Sequence, residues 1–157
     1  MDLYLWIEAL GPSTWVREAP TVWGYPTVLT LHTFGMSVLV GTSAVLSLRI
    51  LGVGGSIPLA PLRTLFPVVW VGWWVSFVTG ALLFGAAATV RGMQGLFLAK
   101  LLIVAAGTAI VVLIKRQGYG PNADQVAVSR TTRHLALLLL LVWVVAITAG
   151  RLLAYVT

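Results

Sequence analysis

An all-α membrane protein, four transmembrane helices preceded by a short amphipathic N-terminal segment, is the fold class this sequence predicts. Three observations predict it. Of the 157 residues, 59% are hydrophobic and only 9% charged. Mean hydropathy is +0.99, far above that of an ordinary soluble domain. The apolar residues fall into four long runs, and a crossing needs roughly 20 of them, so the chain holds four spans with short loops. One bundle is expected, with residues 1–26 as an interfacial segment and 27–157 as the membrane unit.

Residues 2–10 and 13–19 read as short amphipathic pieces separated by Gly11-Pro12. Trp6, Trp15, Trp23 and Tyr25 cluster there, and such aromatics favour the membrane interface. Asp2 and Glu8 with no basic run ahead of them argue against a cleaved leader. Tyr25-Pro26 opens the first span, 27–51, because proline is tolerated in a first helical turn. Gly52, Gly54 and Gly55 stop it. Arg63 precedes a second span over 64–88, the third covers 94–114 and ends at Lys115-Arg116, and the fourth covers 133–156. Between the last two, Gly118-Tyr119-Gly120-Pro121-Asn122 is the strongest turn signal in the chain.

Four crossings put both termini on one side. The opposite side carries Arg49, Arg63, Lys115, Arg116, Arg130 and Arg133, so the positive-inside rule makes it cytoplasmic and puts both termini outside, in a bacterial inner membrane. The net charge of +6 therefore belongs to membrane orientation, and no nucleic-acid partner is read from it. Absence of cysteine excludes disulfides, thiolate metal sites and thioether-linked haem. No carboxylate lies within a span, which leaves paired-carboxylate chemistry and carboxylate proton relays without residues. Gly52-Val53-Gly54-Gly55 lacks the following Lys-Ser/Thr of a phosphate loop.

Ionisable groups inside a span cost a few kcal/mol or more on insertion scales, which singles out His32 and Lys100. They stand about five and about six residues into spans entered from the same side, hence at similar depth. Arg151 approaches that level from the fourth span. Gly35 and Met36 share a helix face with His32, and Gly107 lies seven residues beyond Lys100, giving two low-relief strips. Trp73, Phe77, Gly80 and Phe84 form one face of the second span. Aromatic walls with glycine gaps suit a flat macrocycle, and they suit ordinary helix packing equally. Imidazole is a usual axial ligand of haem iron, and Lys100 serves either as a neutral second ligand or as a charged propionate partner. The plain structural alternative has His32 bonding a backbone carbonyl and Lys100 snorkelling. His134, beside Arg130 and Arg133, reads as an interfacial histidine. His32, Met36 and Met93 make a poor copper path without cysteine or a Met-rich run.

Leu31-His32-Thr33-Phe34-Gly35-Met36 through Leu48-Arg49-Ile50-Leu51-Gly52 resembles the opening helix of a bacterial family of small membrane proteins related to copper-resistance D proteins. Trp23-Gly24-Tyr25-Pro26, Phe97-Leu98-Ala99-Lys100-Leu101-Leu102 and Ala149-Gly150-Arg151-Leu152-Leu153-Ala154-Tyr155 resemble it in the same order, so the likeness covers nearly the whole chain from residue 13. The wider group includes the haem-containing membrane protoporphyrinogen oxidases, in which a first-helix His and a later Lys are associated with haem b. That resemblance implies haem b at His32 and Lys100. Where the family carries acids before the His and before the Leu-Arg pair, this chain has Leu29, Thr30 and Ser47. The expected function is thus a haem b-binding membrane protein in electron transfer or quinone-linked redox chemistry, with His32, Lys100 and Arg151 at the cofactor. A non-catalytic accessory subunit of a larger membrane complex is the alternative, and copper or small-solute transport the third.

Overall fold

The computed structural model describes residues 1–120, 123–125, 127–153 and 155. Helices α1 (Asp2–Ala9) and α2 (Gly11–Glu18) lead into α3 (Tyr25–Leu51). A turn, α4 (Leu59–Leu62), and a 3-10 turn over Arg63–Leu65 then lead into α5 (Phe66–Gly85). The turn α6 (Ala88–Arg91) precedes α7 (Gly95–Gly118), and α8 (Arg130–Leu152) closes the chain. Four helices are long and apolar enough to cross a membrane, and no strand occurs among the described residues. The chain is a multi-pass, all-α membrane protein.

Local chemistry sets the ends. Pro26 sits in the first turn of α3, while Gly52 at φ +106° ends it with Val53 N–H donating to Leu48 O at 3.0 Å and Gly52 N–H to Arg49 O at 3.1 Å. Arg49 then ties the glycine loop down, donating from Nε to Ile57 O at 2.5 Å and from a guanidinium N–H to Gly55 O at 3.1 Å. The second span ends earlier than residue 88, because the backbone turns at Ala87 (φ −149°) and restarts as α6. The third runs past 114 to Gly118, where a side chain would meet Ile50 and Thr132. The fourth begins at Arg130 rather than 133, because Ser129 Oγ accepts from Thr132 N–H at 3.1 Å as an N-cap. Its expected end falls at 154 and 156, outside the described residues, as do Pro121 and Asn122 of the turn. At the cation-rich end Asp124 accepts from the backbone N–H groups of Leu59 (2.5 Å) and Ala60 (3.1 Å), fastening one inter-helix loop to the other.

Without a hydrophobic driving force between helices in lipid, small residues and close backbone approach decide the packing. α3 and α5 make the closest pair, α3 also packs on α8, and α8 packs on α7. α5 and α7 scarcely meet along their backbones and are bridged by side chains. Trp73 Nε1 donates to Thr108 Oγ1 at 3.0 Å, and nearer the other end Phe84 stacks on Phe97 at 5.1 Å. The main core lies towards the cation-rich end, around Leu39, Leu46, Phe66, Ile114, Leu139 and Trp143. Tyr119 joins it, donating its hydroxyl to Leu46 O at 2.6 Å, and burial pushes its phenol pKa well up. A smaller core of Val16, Val28 and Ala86 closes the opposite end. Ser47 Oγ is buried with no hydrogen-bond partner among the described residues. Ser47→Ala is therefore expected to leave the detergent melting midpoint unchanged or slightly raised, since deleting an unsatisfied hydroxyl strands nothing.

The N-terminal segment is more than a surface float. Gly11-Pro12 does not separate the two pieces: the break is at Leu10, and Pro12 lies in the first turn of α2. α1 packs on α6 and α2 on α5, with Ser13 beneath the bare backbone of Gly85. Glu8 Oε1 accepts from the Thr89 hydroxyl at 2.6 Å and the Thr89 N–H at 2.7 Å, capping α6. The Thr89 hydroxyl, then its N–H, and more weakly Arg17 hold the Glu8 pKa below the ordinary glutamate value. A depressed carboxylate contributes stability above its unfolded pKa of about 4.3 and loses it as pH falls through the folded value. Proteolysis of residues 2–18 is thus expected to accelerate below about pH 4 in the wild type, and already at pH 7 in Glu8→Ala. Equal cleavage at both pH values would remove the latch.

Candidate functional site

His32 and Lys100 both lie between the two cores, in the half of the bundle nearer the N-terminal segment. His32 is seven residues into α3 and Lys100 five into α7, about 10 and 8 Å of helix rise from the same end. The expected level of depth therefore holds for the pair.

The His32 ring is fixed by α5. Its Nδ1 lies 3.0 Å from Ser76 O and 3.1 Å from Thr79 Oγ1. Ser76 O can only accept, and Thr79 spends its own hydroxyl proton on Val75 O at 2.5 Å. Nδ1 must then carry the hydrogen, which leaves Nε2 of the neutral ring with a lone pair and no protein partner among the described residues. Gly80 makes the approach possible: a Cβ there would sit 3.1 Å from His32 Cε1. Ser76 and Gly80 are one helical turn apart, so the glycine clears the path to the carbonyl below it.

Lys100 reaches across to α8, its Nζ 3.4 Å from where a Cβ of Gly150 would stand. No hydrogen bond to Nζ occurs among the described residues. Arg151 is exposed and is not brought into contact with either group. Arg91 takes the more central place, donating to Leu153 O at 2.6 Å and to Gln94 Oε1 at 3.1 Å, which pins the end of α8 to the loop before α7. Neither Arg91 nor the Ser76–Thr79 anchor stood out in the sequence: Arg91 falls between two expected spans, and the spacing within α3 says nothing of which carbonyl on α5 faces His32.

The low-relief strips beside His32 and Lys100 are filled by other helices. Gly35 is pressed on Ser76, with 2.7 Å from its would-be Cβ to Oγ, and Gly107 takes the edge of Trp143 at 3.0 Å. A flat ligand does not fit on those strips. Phe77 and Gly80 of α5 and Lys100 and Val104 of α7 fall in the stretch between the two bridges of these helices, with His32 beside Gly80. The expected aromatic face is real but divided: Trp73 and Phe77 stack at 5.0 Å, while Phe84 pairs with Phe97.

His134 lies elsewhere, in an open cleft with Arg130 and Arg133 at the far end of α8. Three or more His, Cys, Asp or Glu side chains gather nowhere among the described residues, which leaves His32, Met36 and Met93 as the copper-type donors already weighed. Fold and site thus define a multi-pass α-helical membrane protein with an anchored intramembrane histidine. No family model, curated protein or solved structure matches the chain.

Proposed function

We propose that this chain binds haem b in the outer half of its bundle, with His32 as axial donor, and takes part in electron transfer or quinone-linked redox chemistry in a bacterial inner membrane. One observation carries the reading: the Ser76 carbonyl and Thr79 hydroxyl hold Nδ1–H, so Nε2 is presented as a ligand from a fixed ring. A ligating histidine commonly donates its other ring nitrogen to a carbonyl in this way. Lys100, whose amine has no hydrogen-bond partner among the described residues, serves as second ligand or as counter-ion to propionates, and Arg151 adds positive charge at the same end. The residues fit the group in donor type, and the stretch of α5 and α7 between their two side-chain bridges is where the reading seats it, since other helices fill the glycine strips. When bound, the haem supplies one-electron exchange; the chain's part is to hold the ring, exclude water through the flanking aromatic pairs and balance charge. The resemblance to haem-containing membrane proteins implies the same two residues. Charge asymmetry favours an orientation with both termini outside, which puts the site near the outer surface.

The test is a reduced-minus-oxidised absorption spectrum of protein purified in mild detergent, with a pyridine haemochrome assay. A b-type spectrum near one haem per chain supports the reading, and a colourless, folded protein removes it. The second reading, an accessory subunit of a larger complex, is favoured by the exposed aromatic face of α5, where Trp74 and Phe77 contact each other at 5.8 Å and both face outward. Partner helices bind such faces. Co-purification of a larger complex by a colourless chain would make it the better account.

A further inference from the structure

The cation-rich end of the bundle carries a second site that the His32 region does not use. Arg130, Arg133, His134 and Leu137 stand at i, i+3, i+4 and i+7, on one face of α8, and with Leu51 at the end of α3 they line an open cleft of about 420 Å³. Two other cations at this end are engaged: Arg49 holds the glycine loop, and Lys115 lies over the Phe66 ring at 5.6 Å. The side chains of Arg130, Arg133 and His134 have no hydrogen-bond or ion-pair partner among the described residues. Asp124, the one carboxylate in the loops here, is committed to the N–H groups of Leu59 and Ala60. Beyond Leu137 the outward face of α8 continues as Leu138, Leu141 and Val144, all exposed.

We propose that this cleft binds an anionic phospholipid. Two guanidinium groups and an imidazole at the membrane boundary match a phosphate, the guanidinium in particular through paired N–H donors. Basic pockets at helix ends hold anionic headgroups, and the N-terminus of the 23-residue α8 adds its partial positive charge. The apolar lining decides between a lipid and a free anion: Leu51, Leu137 and the Leu141–Val144 stripe offer an acyl chain a continuous path from the cation cluster into the bilayer.

The full chain in neutral detergent is titrated with phosphatidylglycerol, phosphatidylcholine or inorganic phosphate while its melting midpoint is followed. Phosphatidylglycerol is expected to raise the midpoint by about 4 °C or more, phosphatidylcholine and phosphate by much less. The double substitution Arg130→Gln/Arg133→Gln should lose most of that shift, and Arg116→Gln, on an exposed cation away from the cleft, should keep it. Native mass spectrometry of the wild type in an equimolar lipid mixture gives a reading independent of any variant, with phosphatidylglycerol adducts expected to dominate. Equal shifts from both lipids, a shift matched by phosphate alone, a double variant that keeps the shift, or adducts without headgroup preference would each overturn the proposal.

Discussion

Gly72→Ala is expected to destabilise the bundle by about 3 kcal/mol or more. The added Cβ would lie 2.6 Å from Leu39 N, 2.9 Å from Gly35 O and 3.1 Å from Leu39 Cα. All three are backbone atoms of α3, so no side-chain rotation relieves the clash and the two helices must move apart. In water a loosened helix pair still buries apolar surface, but lipid offers no such return, and the packing lost at this crossing is lost outright. Separation would also draw Ser76 O away from His32 Nδ1, four residues on from Gly72 in α5 and seven back from Leu39 in α3. Gly41→Ala is the matched control. No atom of the described residues beyond its own helix turn lies within 4 Å of its would-be Cβ, and replacing a mid-helix glycine by alanine gains up to about 1 kcal/mol. Opposite shifts of the unfolding midpoint in detergent are therefore expected, and equal shifts would mean that α3 and α5 do not cross at Gly72.

Much of this arrangement was legible locally. Hydropathy placed four spans, Pro26 and Gly52 marked the ends of α3, and the cost of charge in lipid singled out His32 and Lys100. Partners were not legible, because they depend on contacts between distant parts of the chain. Glu8 caps a turn 81 residues away, Asp124 caps one 64 or 65 residues back, and the carbonyl that fixes His32 lies 44 residues on. The glycines show the same limit. Periodicity put Gly35 and Gly107 beside the polar groups, yet it could not say that Ser76 and Trp143 fill those spaces, while Gly80 holds the ring itself. Helix ends were misplaced where a cap came from outside the apolar run, as with Ser129, or where the break falls inside an apolar run, as at Ala87 just after Gly85.

His32→Ala is expected to abolish the Soret band of the purified protein, and the graded effects of its neighbours separate a ligand from a packing residue. Lys100→Met should shift or weaken the band, whichever of its two roles holds. Thr79→Val removes one acceptor at Nδ1 but leaves Ser76 O, so haem retention should fall by less than the roughly 10- to 100-fold typical of losing an orienting partner. Gly80→Ala acts by displacement: a methyl 3.1 Å from Cε1 pushes the ring off the Ser76 carbonyl and re-aims Nε2, so the band should move as well as weaken. His134→Ala, at the far end of the bundle, should leave the spectrum unchanged. A histidine that merely joined α3 to α5 would give another pattern, in which melting midpoints fall for all three variants around the ring while any bound haem keeps its spectrum. An unchanged Soret band in His32→Ala would therefore defeat the ligand assignment and leave the Nδ1–Ser76 bond as a structural link between the two most closely packed helices.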